Sequence, residues 1–176
     1  REPDRLTLRG SESLESNFGQ SMLARRLTAQ RSTATTKLRF DPESFQQMAG
    51  IAAYYNTYLF HYLYLSMDED KGLCLQIHSC DDGTSSFPLG EHVIPVSTGE
   101  LFLRTTFDER DLQFYFSEDG DRFREAGPVL DASILSDDHG EHWGFTGTFV
   151  ALACQDLKGQ RLAAQFDFLE IKNQDH

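Results

Sequence analysis

Apolar side chains recur at every second position in several stretches of this sequence, and this spacing constrains the fold more than any other feature. Leu112, Phe114 and Phe116 share one face of any extended strand. Two other stretches predict one-sided strands in the same way, with inward residues Leu73, Leu75 and Ile77 in one and Leu101, Leu103, Thr105 and Phe107 in the other. On the first of these two strands, the opposite face holds Cys74, Gln76 and His78.

Further strands are predicted over residues 22–28, 33–40, 48–55, 58–67, 148–154 and 162–172. Acidic turn sequences with glycine, such as Asp81-Asp82-Gly83, separate them at short intervals. Helical structure is confined to single turns near residues 42–45 and 131–135. The sequence therefore predicts an all-β fold, a two-sheet antiparallel β-sandwich, built as one domain over residues 1–176.

One predicted strand is rich in aromatic residues on both faces. Tyr58, Phe60, Tyr62 and Tyr64 would line one of its sides. A strand that is apolar on both faces either lies centrally in a sheet or has a face covered by something outside this chain.

Charge and cysteine content limit the partners and the compartment. The 28 acidic residues outnumber the 16 basic ones, for a net charge of -12, which disfavours nucleic acid and anionic membrane surfaces as partners. No apolar run reaches the ~20 residues of a membrane span. Three sparse cysteines, Cys74, Cys80 and Cys154, are expected to be free buried thiols, and the absence of a visible signal peptide in residues 1–9 adds to the expectation of a cytoplasmic protein.

The sequence lacks the usual arrangements of catalytic groups. Glycoside hydrolysis needs two carboxylates that face each other across a sugar, and no Glu-x-Asp-x-Glu run supplies them. Asp167 and Glu170 are separated by an odd offset and would point to opposite faces of a regular strand. No Gly-x-Ser-x-Gly elbow is present either. We therefore expect no catalysis by this chain alone.

Metal and cofactor sites are not expected. His139 and His142 have a His-x-x-His spacing, but a solvated polar loop explains them more simply. Asp167 suits either a structural Ca²⁺ or a hydrogen bond to a neighbouring loop, and the hydrogen bond is the simpler interpretation.

The region 131–156 contains Trp143, the one tryptophan of the chain, and Phe145, which lies between Gly144 and Gly147. Glycines on both sides permit unusual backbone dihedrals, so the Phe145 ring can project outward. Two interpretations remain open at this point. The two rings form an apolar wall for a sugar face, or they cap the open end of the core.

Several separated motifs resemble the carboxy-terminal domain of family 43 glycoside hydrolases, and more closely that of xylan 1,4-β-xylosidases. They are residues 20–26, 45–50, 54–57, 129–137, 144–150, 154–157 and 164–168. The resemblance implies a concanavalin A-like jelly roll beside an amino-terminal five-bladed propeller of the same polypeptide, which carries the catalytic carboxylates. It also implies that a loop phenylalanine enters the propeller's sugar pocket; Phe145 is the match, with Phe149 as the alternative.

These motifs together predict a non-catalytic accessory domain. The resemblance implies a parent β-xylosidase, with α-arabinofuranosidase as a further activity, that binds xylo-oligosaccharide in a joint pocket; assembly of the parent enzyme into homo-oligomers is left open. Phe145 and Trp143 are the predicted substrate-binding residues, with no catalytic or metal-binding residue in this chain. Two alternatives stay open: an independent carbohydrate-binding module, and a purely structural or oligomerisation domain.

Overall fold

The computed structural model describes residues 4–141 and 147–174, and nearly all of its regular structure is extended. In chain order the elements are β1 (Leu6–Arg9), β2 (Ser21–Arg26), β3 (Arg31–Arg39), β4 (Gln47–Asn56), β5 (Leu59–Asp68), β6 (Gly72–Asp81), β7 (Thr84–Ser86), β8 (Ile94–Pro95), β9 (Glu100–Asp108), β10 (Asp111–Ser117), β11 (Arg124–Glu125), β12 (Leu130–Asp131), the short 3-10 helix η1 (Ala132–Ile134), β13 (Phe149–Asp156) and β14 (Ala163–Asn173). The predicted helical turn near 131–135 corresponds to η1.

The strands form two antiparallel sheets. Sheet one has the order β1-β14-β3-β9-β10-β11, with β12 also paired to β10. Sheet two has the order β2-β13-β4-β5-β6-β7, with β8 also paired to β6. Consecutive hairpins such as β4-β5-β6 and β9-β10 follow from the turn sequences between them. The predicted all-β, two-sheet antiparallel sandwich is confirmed.

The main core lies between the sheets and is built from the inward residues that the alternation predicted. Leu112, Phe114 and Phe116 of sheet one are at most 2% exposed. From sheet two, Leu75 and Ile77 are fully buried in the same cluster. Burial of each such side chain contributes about 1.5–3 kcal/mol, so this layer dominates the stability of the sandwich.

A second apolar cluster covers the outer face of sheet two. Phe60, Tyr62 and Tyr64 belong to it, as predicted, and β5 is a central strand. Tyr58 does not belong to it, because it precedes β5 in the turn and packs on the main core instead. The cluster is partly covered by residues 11–20 of the same chain, called here the covering segment, whose Leu14 is 1% exposed.

A β-bulge interrupts β14 and corrects one expectation. The register of β14 against β3 shifts between Phe166 and Leu169, so two residues of β14 oppose one of β3. Phe166 before the bulge and Leu169 after it therefore both face the main core. Asp167 and Glu170 consequently lie on the same outer face, not on opposite faces as a regular strand would require.

The three cysteines are free and buried, as expected. Burial raises the pKa of Cys154 to about 12 and that of Cys80 to about 11, so these thiols stay protonated near neutral pH. Across residues 4–141 and 147–174, the structure contains no helix with the length and apolar character of a membrane span.

Candidate functional site

The segment that follows β12 leads toward the two predicted sugar-binding residues. Asp131 caps η1 by accepting a hydrogen bond from the Ser133 backbone N–H at 2.9 Å. Hydrogen bonds from Ser133 also hold the pKa of Asp131 below its usual value. Ile134 and Leu135 then anchor the segment in the main core. Phe145 and Trp143 themselves lie outside the described residues, as do His142, Gly144 and Thr146, so the structure describes only the two flanks of this stretch.

The upstream flank, residues 136–141, is attached to sheet two by three polar contacts. The Tyr55 hydroxyl at the end of β4 donates a hydrogen bond to the Asp137 carboxylate. His139 Nε2 lies 2.7 Å from Asp81 Oδ1 at the end of β6. The backbone N–H of Glu141 donates to Asp82 Oδ1 at 3.2 Å. This flank is therefore fixed against β4 and the β6–β7 turn immediately before residue 142.

The downstream flank is fixed at the same end of sheet two. Thr148 donates from its hydroxyl to the Leu135 carbonyl at 2.7 Å, and its own carbonyl accepts from the Leu27 N–H at 2.9 Å. Gly147 has φ +78°, and a Cβ there would lie 2.7 Å from Arg26 Nε. The left-handed backbone therefore favours glycine at position 147, whereas the close guanidinium group ends a flexible side chain that can shift.

Buried His61 joins β5 to Asp131, at the start of the segment that leads to the upstream flank. Its Nδ1 lies 2.7 Å from Ser79 Oγ and its Nε2 lies 3.0 Å from the Asp131 carbonyl oxygen. The neutral tautomer with a proton on Nε2 satisfies both contacts, because Nε2–H donates to the carbonyl and Nδ1 accepts from the serine. Burial lowers the pKa of His61, which favours this neutral form.

The remaining candidate residues have other partners. His139 is paired with Asp81, and no group of three or more His, Cys, Asp or Glu side chains in the described ranges is arranged to hold a metal ion. Asp167 lies 3.0 Å from Arg5, 3.2 Å from Arg39 and 3.7 Å from Lys37. Three cations around one carboxylate do not suit a bound Ca²⁺. Asp167 accepts a hydrogen bond from Arg39 of β3, and Arg5, in the loop just before β1, forms an ion pair with it.

A second concave feature, which the sequence did not indicate, lies on the outer face of sheet two. This outer cavity has a volume of about 350 Å³, and its lining includes Tyr64, Gln76, His78, Phe87 and Gln155. The alternation did predict that Cys74, Gln76 and His78 share one face of β6, and all three line the cavity. Its other walls come from distant parts of the chain, so no local motif could reveal it.

A family model and similar curated proteins all indicate the same family for this chain. The model of the β-xylosidase C-terminal concanavalin A-like domain, GH43_C2, matches residues 1–172. Xylosidase/arabinosidase 43B of Humicola insolens is 40% identical over 186 residues, covering 100% of this chain and 34% of that protein. A β-xylosidase of Bacillus subtilis (strain 168) is 36% identical, covering 97% of this chain and 32% of that protein.

The solved structures agree. The crystal structure of xylan β-1,4-xylosidase from Bacillus halodurans C-125 superposes with a TM-score of 0.92 at 38% identity, over 96% of this chain and 33% of that one. The chain thus spans about a third of the length of the relatives it matches. On this full-length match, the chain belongs to the family of C-terminal concanavalin A-like domains of family 43 β-xylosidases.

Proposed function

We propose that residues 1–176 form one accessory sandwich that packs beside a catalytic propeller of the same polypeptide and presents Phe145, with Trp143, to its sugar pocket. The parent activity proposed is that of a β-xylosidase, acting on xylo-oligosaccharides. The observation that carries the proposal is the attachment of both flanks of residues 142–146 at one end of sheet two. On one side, Asp137 and the backbone N–H of Glu141 are hydrogen-bonded to Tyr55 and Asp82. On the other side, the Thr148 carbonyl accepts from the Leu27 N–H, which directly follows β2.

Fixed flanks suit a residue that contributes to a pocket in another domain. A ring lowers the activation barrier only when it is held in position, and misplacement of a substrate can cost about 10²-fold in rate. The framework beneath the flanks, with buried His61 and Leu135, provides such rigidity. Glycine at 147 adds a backbone conformation that other residues adopt only with strain.

The acidic side chains of the described residues support a non-catalytic role. Asp167 is surrounded by cations, and Glu170 lies 3.0 Å from Lys172 Nζ. Asp131, Asp68 and Asp119 accept hydrogen bonds from their own turns, which lower their pKa values. Hydrogen bonds therefore stabilise Asp131, Asp68 and Asp119 in the ionised form, whereas a general acid needs a raised pKa.

The test uses the full-length polypeptide that contains this domain. Phe145→Ala should lower kcat/KM on a nitrophenyl xyloside by about 10- to 100-fold, because water enters and the sugar is held less firmly. Phe18→Ala is the matched control, since Phe18 is 82% exposed in the covering segment. Equal kinetics for the two variants would remove Phe145 from the site. A circular dichroism melt confirms that neither variant is unfolded.

A further inference from the structure

The floor of the outer cavity presents hydrogen-bonding groups to its interior. Tyr64 is 7% exposed, and its hydroxyl makes no hydrogen bond to any described residue. Burial raises the pKa of Tyr64, so the hydroxyl keeps its proton and can donate. Because Tyr64 lines the cavity and its hydroxyl has no partner among the described residues, the hydroxyl is free to pair with a polar group of a bound molecule.

Gln155 supplies a second such group from β13. It is 2% exposed, and its Oε1 accepts from the Leu14 N–H of the covering segment at 3.4 Å, which fixes the orientation of the amide. The acceptor found for its Nε2 is Met48 Sδ at 3.6 Å, and a thioether is a weak acceptor. An amide nitrogen carries two protons, so at least one remains available on the cavity floor.

An aromatic ring forms one wall. Phe87 stacks on His78 with ring centroids 4.9 Å apart and an interplanar angle of 15°. His78 in turn is fixed by Ser85 Oγ, 2.9 Å from its Nε2. Because one face of Phe87 lies on the imidazole while the residue is 50% exposed, the other face is presented outward. A fixed aromatic face beside a few polar groups is typical of small-ligand sites.

The charge around the cavity restricts the ligand. Glu15 and Asp68 contribute carboxylates, and no lysine or arginine is among the described residues that line it. Burial lowers the pKa of His78, so its ring is neutral near pH 7. An anionic ligand would meet repulsion without a compensating cation. The volume of about 350 Å³ lies at the small end of ligand sites.

We propose that the outer cavity is a second saccharide site, which binds a short neutral oligosaccharide with a sugar face on Phe87 and hydroxyls on Tyr64 and Gln155. This site goes beyond the proposed function. Only the choice of a xylose-based probe rests on the proposed function. It lies near the start of β4 and the end of β5, whereas the flanks of residues 142–146 lie at the opposite end of sheet two. The two regions can therefore act separately.

The methionines of this chain allow a direct test. Met48 and Met67 line the cavity, whereas the third, Met22, lies on β2 and does not. Every strand of the described ranges pairs with another strand of the same chain, so the titration can use the 176-residue chain by itself. With ¹³C-methyl methionine labelling, titration with xylotriose should shift the Met48 and Met67 signals saturably in the millimolar range. The Met22 signal should stay in place.

Variants and a charged probe sharpen the result. Tyr64→Phe should weaken xylotriose binding about three- to tenfold, because it removes one hydrogen bond and keeps the ring. Tyr115→Phe, on β10 of sheet one, is the matched control and should bind like the unmodified chain. Phe87→Ala should abolish measurable binding. Trigalacturonate, a trianion of similar size, should produce no shift.

Several results would contradict a saccharide site in the outer cavity. Absence of saturable shifts at Met48 and Met67, equal affinity of Tyr64→Phe and the unmodified chain, or equal binding of trigalacturonate would each overturn the proposal. Loss of the shifts in the full-length polypeptide would show that another part of that polypeptide covers the cavity, which also overturns it. The kinetics of Phe145→Ala in the full-length polypeptide report on the other site, so failure of one proposal is distinguishable from failure of the other.

Discussion

The phenol of Tyr55 donates a hydrogen bond to the carboxylate of Asp137, which joins the end of β4 to the segment that leads into residues 142–146. Tyr55 is 2% exposed, so a rigid, buried ring provides the donor. Because the ring cannot move freely, the bond fixes the position of the upstream flank.

Removal of this hydroxyl should loosen the flank without damaging the core. Tyr55→Phe is expected to lower the free energy of unfolding by about 1 kcal/mol, since the ring remains and Asp137 is solvated. Urea denaturation of Tyr55→Phe and of the control Tyr115→Phe measures the effect. In the full-length polypeptide, Tyr55→Phe should also reduce kcat/KM, and stability and kinetics identical to the control would show that the bond has no role.

The close approach of β4 and β5 at Gly50 predicts a far larger effect. A Cβ at position 50 would lie 1.9 Å from the Leu63 carbonyl oxygen and 2.8 Å from Tyr64 Cα. Backbone atoms cannot yield as a flexible side chain can, so Gly50→Ala should cost more than about 3 kcal/mol or prevent folding. Gly72→Ala is the control, with φ +77° but nothing within 4 Å, and should cost about 1 kcal/mol. Comparable denaturation midpoints for the two variants would contradict this packing.

Acidification should destabilise the fold through His61. Burial lowers its pKa in the folded state, so the unfolded chain takes up a proton near pH 6.5 while the folded chain does not. The contribution of neutral His61 to the free energy of unfolding is therefore complete above about pH 6.5. This contribution decreases as the pH falls toward the lowered pKa of the folded state. Urea denaturation at a series of pH values between about 5 and about 7.5 gives the free energy of unfolding as a function of pH. Its slope against pH should be shallower for His61→Gln than for the unmodified chain. The exposed His92 provides the control substitution, and equal slopes for both variants would refute the assignment.

The thiols should resist modification in the folded protein. Cys74, Cys80 and Cys154 are at most 3% exposed, and burial raises the pKa of each. Ellman's reagent at pH 8 should label them slowly in buffer and all three rapidly in denaturant. Fast stoichiometric labelling of the native chain would show that at least one thiol is accessible.

The strands were predictable from the sequence because their signal is local. The alternation around Phe114 reflects one buried and one outward face, which the period of an extended chain fixes directly. The bulge after Phe166 was not predictable in this way. A bulge is specified by the pairing of β14 with β3, and it reverses which face each later residue occupies. The expectation for Asp167 and Glu170 was wrong for that reason.

The outer cavity depends on tertiary structure even more strongly. Its walls come from the covering segment, β4, β5, β6, the residues around Phe87 and the end of β13. The aromatic pattern of β5 indicated an unusual second face, but the sequence did not reveal that residues 11–20 of the same chain cover part of it. Phe145 and Trp143 remain predictions from the family resemblance, with the two attached flanks as their structural support.

The covering segment also determines where this domain can be separated from a neighbour. β1 pairs with β14 on sheet one, and the chain then crosses to seal Leu14 against Phe60 and Tyr62 on the far side of sheet two. Truncation of the chain just before β2 would remove the edge strand β1 from sheet one. It would also expose the second apolar cluster on the outer face of sheet two. A protein truncated there should form aggregates, so the practical boundary for excision lies ahead of Leu6.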